Sequence, residues 1–402
     1  MAAHEPSSST AATLSTPEPE PTTTARSPRL GKLGESAAWN TLSTVSCLIF
    51  FSILGTLARL GLQALTTYPN APVTTGVLWA NVAGCVVMGG LVELRPKAEE
   101  APPTQNHRNT NNRENENAPT RLRTSTSLVP LYVGLTTGFC GSTTSFSSFA
   151  RDMFLALANE LPPGDSMGHT ITFIRNRGRG DSVMAVAAVI ALTVGLSIAG
   201  LYLGGHVAMV VRAVFWPRCA GPRKLYYYSL ILSSLGIVLG WTSWLATILL
   251  AVWLAPTSQN YYWRSSVLFA LVFAPPGCLL RYYVSRWLNP RRKSFPLGTF
   301  AVNVLGTLVL GVSLDLQHVP RIARVHVACH VLQGVMDGFC GCLTTVSTFV
   351  VEVTALRRRE GYLYGGGSIA GALAVMVVVA GSLRWTKGWE EASCFNNMIN
   401  VN

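Results

Sequence analysis

Gly138 to Phe149 reads GFCGSTTSFSSF, and Gly338 to Phe349, 200 residues further on, reads GFCGCLTTVSTF. Working outward, a second pair of patterns flanks these boxes. Gly55-xxx-Arg59 with Asn81-xx-Gly84-xxxx-Gly89 precedes the first, and Gly277-xxx-Arg281 with Asn303-xx-Gly306-xxxx-Gly311 precedes the second. Arg and Asn stand 22 residues apart in both halves. Order, spacing and residue type recur together, so the chain is an internal duplication, and that governs the fold reading before anything else. The Arg and Asn blocks repeat at an offset of 222 and the boxes at 200, because the first copy carries 22 extra residues in its polar stretch 96–124.

The chain has 402 residues, of which 49% are hydrophobic and only 12% charged, with a mean hydropathy of +0.34. That balance points to a membrane protein rather than to soluble domains. Apolar stretches of about 20 residues, the length needed to cross roughly 30 Å of hydrocarbon, run over 42–65, 73–94, 181–207, 228–252, 265–287, 297–316 and 367–384. Two weaker ones, 127–150 and 328–350, contain the boxes and their Ser/Thr runs, which makes nine expected spans. Residues 1–40 are rich in Ser, Thr, Pro and Glu and read as a disordered cytoplasmic tail, with no signal-peptide pattern. The Asn-rich stretch 96–124 reads as a floppy loop, and 385–402 as a C-terminal tail.

Nine cysteines, mostly inside the spans, read as small hydrophobes and not as a disulfide framework. Cys340 and Cys342 lack a ligating His in the other copy, so a metal reading is set aside. The net charge of +12 invites a nucleic-acid partner, but its distribution argues for membrane orientation instead. With the N-terminus in the cytoplasm, 20 of the 31 Lys and Arg fall on cytoplasmic segments and 9 on the opposite side. Arg59 and Arg281 lie within spans. The C-terminus is then outside.

Each copy, 41–207 and 265–384, holds four spans, and an even number returns the chain to the side on which it began. The lone span 228–252 has no counterpart in either copy, and it turns the second unit upside down. Inverted repeats of this kind place pathways near the bilayer midplane, where helices are broken. The expected fold is therefore an all-α integral membrane protein of two inverted four-helix repeats joined by a linker transmembrane helix.

The boxes, the GxxxR pattern and the helix beginning Gly298-Thr299-Phe300-Ala301-Val302-Asn303-Val304-Leu305-Gly306 resemble the fluoride channel family, known as Fluc or CrcB in bacteria and as fluoride export proteins (FEX) in eukaryotes. The resemblance covers both repeats with the linker span in its expected position. It implies a passive fluoride channel at the plasma membrane that exports fluoride for detoxification, working as a single fused chain in the lipid bilayer.

Fluoride is small and tightly hydrated, so its pathway must replace water with donors and positive partial charges. Asn81 and Asn303 offer amide N–H donors mid-span, and the resemblance implies that they line the pore. It also implies that the positive edges of Phe146, Phe149 and Phe349 coordinate the ion. Val346 breaks the pattern where the second copy lacks one ring. If each pathway pairs one ring from each half, the one with Asn81, Phe146 and Phe349 keeps both, and the two pathways are unequal. Ser147, Ser148, Ser347 and Thr348 add hydroxyls beside the rings, and Thr193, Ser197 and Ser368 are further candidates. Arg59 and Arg281 would draw anions into a vestibule, or equally snorkel to headgroups. The resemblance further implies that backbone carbonyls of Gly141, Thr144, Gly341 and Thr344, at an expected helix break, hold a structural Na⁺ between the halves, and carbonyl oxygens suit a hard cation.

The competing reading is a proton-coupled drug exporter built from inverted repeats. Such a protein needs a membrane-embedded carboxylate. Glu93 and Asp315 lie at span ends and Asp337 has Thr137 as its counterpart, so the sequence offers no duplicated deep acid on this reading. No HExxH, GxSxG or phosphate-binding motif supports an enzyme.

Overall fold

The computed structural model describes residues 37–68, 76–94, 129–160, 179–215, 222–253, 267–319 and 326–389. The expected tail up to residue 36, the polar loop 96–124 and the C-terminal stretch beyond 389 lie outside the described residues. Among the described residues every regular element is a helix and there is no strand. In chain order these are α1 (Ala37–Thr66), α2 (Leu78–Leu94), α3 (129–143), α4 (Phe146–Leu157), α5 (Arg179–Phe215) and α6 (Pro222–Trp253). They continue with α7 (Phe269–Leu288), α8 (Leu297–Gln317), α9 (326–343), α10 (Ser347–Ala355) and α11 (Arg358–Thr386).

Six helical stretches are long and apolar enough to cross a membrane: Ala38–Thr66, Gly180–Val214, Ile231–Trp253, Leu297–Gln317, Val327–Ala355 and Arg358–Thr386. Leu78–Leu94 is apolar but shorter, and α7, with 20 residues, carries Pro275, Pro276, Arg281 and Arg286. The chain is an all-α, multi-pass membrane protein. Its outward faces fit that environment, since Val183, Met184 and Val210 on α5 and Val238, Leu245 and Val252 on α6 are all exposed. In water such surfaces would drive aggregation, whereas lipid is their natural solvent.

Between lipid-facing helices there is little hydrophobic gain, so close approach of backbones must supply the packing. The motif glycines provide it. A Cβ on Gly55 would stand 2.5 Å from the Phe139 carbonyl oxygen, and Gly277 meets the carbonyl of Phe339 in the same way. Gly84 lies against the Thr144 methyl and Gly306 against that of Thr344. The glycines of both copies thus form the surfaces on which the box helices rest. The largest core gathers where α4, α5, α8, α10 and α11 meet, around Phe146, Phe149, Val346, Phe349, Tyr364 and Met376. α6 leans on α1 and α7, where Trp241 Nε1 donates to Ser46 Oγ at 3.1 Å and Trp244 Nε1 to the Val272 carbonyl at 3.0 Å.

Candidate functional site

Each box is a helix that stops and restarts. π-helical turns at Gly134–Cys140 and Val335–Cys340 widen the helix, and a last α turn follows at Gly141–Thr143 and Gly341–Leu343. The backbone then becomes extended at Thr144 (φ −93°, ψ 145°) and Thr344 (φ −95°, ψ 157°). The expected break lay within Gly141–Thr144 and Gly341–Thr344, and in both copies it falls at the last residue of that run.

A break at membrane depth is tolerated only if its freed amides find partners. Asn81 and Asn303 meet that need, because Asn81 Oδ1 accepts the Ser145 amide at 2.8 Å and Asn303 Oδ1 the Thr345 amide at 2.9 Å. Each asparagine therefore commits its carbonyl oxygen and turns its –NH2 to other work. The Asn303 –NH2 reaches the Thr345 carbonyl at 3.4 Å, whereas the buried Asn81 Nδ2 has no partner among the described residues.

The restarting half-helices are capped from the opposite copy. Thr344 Oγ1 accepts the amides of Phe146 and Ser147 at 3.1 and 3.0 Å, and Thr144 Oγ1 accepts those of Val346 and Ser347 at 3.2 Å each. Both hydroxyls donate to their own helices, at the carbonyls of Cys140 and Cys340. A threonine oxygen serving the first-turn amides of a helix is an N-cap delivered across an interface. The Ser147 and Ser347 hydroxyls join this knot, lying 3.1 Å from Thr344 Oγ1 and Thr144 Oγ1 respectively. Ser148 is buried and its hydroxyl meets Ser145 Oγ at 2.9 Å, while Thr348 is only partly buried.

Phe146, Phe149, Val346 and Phe349 are all buried. Phe146 meets Phe149 edge-on at 5.5 Å and, across the copies, Phe349 at 5.1 Å. The ring from the first copy and the ring from the second therefore touch. Phe349 continues to Tyr364 at 5.5 Å. The Tyr364 hydroxyl donates to Glu352 Oε2 at 2.6 Å, and Glu352 Oε1 accepts Thr299 Oγ1 at 2.7 Å and Asn289 Nδ2 at 3.2 Å. A track of ring edges and hydroxyls thus leads from the break to Asn289.

Glu352 corrects the sequence reading. At the repeat offset of 200 its counterpart is Asp152, which is buried and lies 3.5 Å from Arg151 Nη2. A duplicated acid does exist, three residues beyond the second Phe of each box, buried as Asp152 and partly buried as Glu352. The signal for it is the continuation of the 200-residue offset past Phe149 and Phe349, where the residue types are no longer identical.

Arg59 and Arg281 do not snorkel, being only 1% and 2% exposed. Each reaches into the other copy: Arg281 Nη2 donates to the Thr137 carbonyl at 2.6 Å and Arg59 Nη2 to that of Asp337. The Arg281 guanidinium lies against Gly141 and that of Arg59 against Gly341, so those positions admit no Cβ. Nη1 of both arginines has no partner among the described residues. Of the remaining candidates, Thr193 and Ser197 are buried on α5, and Ser368 Oγ bonds back to the Tyr364 carbonyl at 2.7 Å. Among the described residues no cluster of His, Cys, Asp and Glu is suited to a metal. Chemically, the centre offers amide donors, positive ring edges and two buried cations around a buried break, which suits a small anion.

The sequence profile of the CrcB-like protein, Camphor Resistance (CrcB) family matches residues 46–205 and 268–382. Fluoride export protein 1 of Neurospora crassa is 48% identical over 88% of this chain and 69% of the relative. Fluoride export protein 1 of Schizosaccharomyces pombe is 31% identical over 87% of this chain and 99% of the relative. The fluoride-specific ion channel FluC of Serratia proteamaculans is 37% identical over 30% of this chain and 88% of the relative, so a bacterial relative matches only a part of it. No solved structure matches the chain significantly.

Proposed function

Because the chain belongs to the CrcB family, we propose that it is a fluoride-exporting channel and that its break regions form the conducting centre. The observation that carries the reading is the duplicated arrangement at the break, in which an asparagine oxygen holds the freed amide and a threonine from the other half caps the restarting helix. This arrangement leaves an amide –NH2 and ring edges to replace the hydration shell of a small anion without binding it as tightly as a bare cation would.

The reciprocal contacts support two four-helix repeats of opposite orientation, 41–207 and 265–384, with α6 as the inverting ninth span. Exchange of caps, and of Arg59 and Arg281, between the copies is the pattern expected of halves related by an axis in the membrane plane. The charge count favours a cytoplasmic N-terminus and an external C-terminus. At the plasma membrane the inside-negative potential then drives the anion outward with about 2.3 kcal/mol per charge per 100 mV. The fused chain works as a monomer.

We further assign the main pathway to Asn81, Phe146 and Phe349, followed by the Tyr364–Glu352–Thr299 track. The alternative route meets Val346 in place of a ring and Val77 in place of Thr299. It also meets an Asn303 amide already bonded to a carbonyl.

A central Na⁺ fits the donor set. The amides of Ser145 and Thr345 serve Asn81 and Asn303, and those of Ser148 and Thr348 serve Ser145 Oγ and Thr345 Oγ1. The carbonyls of Gly141, Gly341, Thr144 and Thr344 have therefore lost the helical donors four residues on. Such oxygens suit a hard cation, and the neighbouring guanidiniums disfavour a divalent one.

Glu352 and Asp152 are the features that would favour a proton-coupled exporter, yet three donors already hold the Glu352 carboxylate. Efflux from liposomes carrying the purified chain separates the readings. Electrogenic fluoride flux without chloride flux is expected. Substrate-dependent proton flux would replace the channel reading.

A further inference from the structure

The end of α7 and the turn after it carry Arg286, Arg291, Arg292 and Lys293, all exposed. The turn between α10 and α11 and the first residues of α11 carry Arg357, Arg358 and Arg359, also exposed. The fold brings the two turns to one end of the bundle. Asn289 Oδ1 accepts the amides of Gly298 and Thr299 at 2.7 and 3.1 Å, which folds the first turn onto the start of α8. Its Nδ2 reaches Glu352 Oε1 on α10 at 3.2 Å. Phe295, from the same turn, meets Tyr364 of α11 edge-on at 5.2 Å. None of the seven cations forms an ion pair with a carboxylate among the described residues. The acids flanking the second turn, Glu352 and Glu360, are partly buried, and Glu352 is occupied by Asn289, Thr299 and Tyr364.

The charge belongs to one copy. At the repeat offset of 222, residues 286, 291, 292 and 293 correspond to Ala64, Pro69, Asn70 and Ala71, and at 200, residues 357–359 correspond to Leu157, Ala158 and Asn159. The first copy therefore has no cation at any of the seven positions. Positive charge at the start of α11 also opposes the dipole of that helix, so the three arginines there do not serve the helix itself. Their neighbours are aromatic and face outward, with Trp287 64% and Tyr362 81% exposed. The Arg291 guanidinium lies 3.8 Å from the centre of the Trp287 ring, and Arg286 Nη1 donates to the Tyr282 hydroxyl at 2.9 Å. Exposed Trp and Tyr beside Arg and Lys are the composition of a helix end at the level of lipid headgroups. A guanidinium at that level presents a fork of N–H groups matched to a phosphate. A set of cations that only drew fluoride toward the pathway would have no use for rings facing lipid.

We propose that these two turns form a binding surface for the headgroups of anionic phospholipids, with the guanidiniums of both turns on the phosphates and Trp287 and Tyr362 seated in the headgroup layer. Clusters of about four to eight Lys and Arg beside a membrane-crossing helix hold such lipids chiefly by charge. The leaflet follows from the proposed orientation, which puts this end on the cytoplasmic side, where the membrane surface is negative. The binding itself does not depend on that orientation.

The test uses the full chain, purified in neutral detergent, with native mass spectrometry counting the lipids retained after addition of phosphatidylserine or of phosphatidylcholine with the same acyl chains. The wild type should retain phosphatidylserine at about tenfold lower concentration. That preference should largely disappear when Arg291→Gln, Arg292→Gln and Lys293→Gln are combined, and again when Arg357→Gln, Arg358→Gln and Arg359→Gln are combined. A photoactivatable phosphatidylserine, crosslinked to the wild type and mapped on its peptides, locates the site with no substitution at all, so misfolding of a triple variant would not leave the question open. Adducts on both turns are expected. Equal retention of the two lipids by the wild type, or adducts found only elsewhere, would overturn the proposal. Displacement of the lipid by equimolar inorganic phosphate would do the same, by assigning the surface to a soluble anion. No flux is read, so the outcome stands apart from that of the channel reading.

Discussion

Thr344 caps a helix that is not its own: its hydroxyl oxygen accepts the backbone amide of Phe146 at 3.1 Å, 198 residues away in sequence. Thr144 returns the contact on Val346 and Ser347. Each half of the chain thus finishes a helix that the other half has left open, so the two cannot separate without exposing buried amides.

Removing either cap therefore weakens both halves. Thr344→Val and Thr144→Val keep the shape and delete the acceptor, which should cost about 1–2 kcal/mol each. Thr→Ser at the same positions should restore most of it. Thermal unfolding in detergent measures the first effect, and fluoride efflux from liposomes should fall in step with it for Val and recover for Ser.

The two asparagines should not be equivalent. Asn→Asp retains the oxygen that holds the broken backbone but removes the –NH2, which is unpaired only in Asn81. Asn81→Asp should lower fluoride efflux more than tenfold, and Asn303→Asp should leave most of it. Equal partial losses would show that both routes conduct alike.

Gly141 and Gly341 have no room for a methyl, since the guanidiniums of Arg281 and Arg59 fill that space. Gly141→Ala should destabilise by about 1–3 kcal/mol through overpacking. Combining it with Arg281→Ala should cost less than the two changes added together, because the clash is then gone. Strict additivity in a double-mutant cycle of unfolding free energies would mean that the pair does not interact.

The carboxylate track gives a fourth expectation. Glu352→Gln replaces an acceptor of three donors with a group that donates on one side, so one of Thr299, Asn289 and Tyr364 loses its partner, at about 1–3 kcal/mol. Efflux should fall for Glu352→Gln and for Tyr364→Phe, and less for Asp152→Asn, whose route is the one that meets Val346 on the proposed assignment. A larger loss from Asp152→Asn would reverse the assignment of the main pathway.

Much of this was legible in the sequence because duplication supplies its own control: Asn81 and Asn303 stood out by recurring at equal spacing. The all-helical, membrane-crossing character was equally plain from composition. Other features were hidden for physical reasons. A threonine hydroxyl looks the same whether it bonds back four residues or reaches across an interface, so the exchanged caps of Thr144 and Thr344 had no local signature. Arg59 and Arg281 carried a clear signal of importance, but their docking on Gly141 and Gly341 depends on which surfaces the fold brings together. Glu352 was legible as a duplicated acid, lying at the same offset as the boxes, yet its partners come from elsewhere, Asn289 from the turn after α7 and Thr299 from the start of α8.

The helix α6, fixed by Trp241 to Ser46 and by Trp244 to the backbone of Val272, has one more effect, which concerns heredity. In an assembly of identical subunits a single codon change strikes both conduits at once, and a harmful one has no refuge. A chain that carries its own tether is released from that symmetry. One flank is free to keep the chemistry of transport while its twin drifts toward being a wall, and on the proposed assignment of the main pathway the contrast of Phe146 with Val346 and of Thr299 with Val77 is the trace such a division of labour would leave.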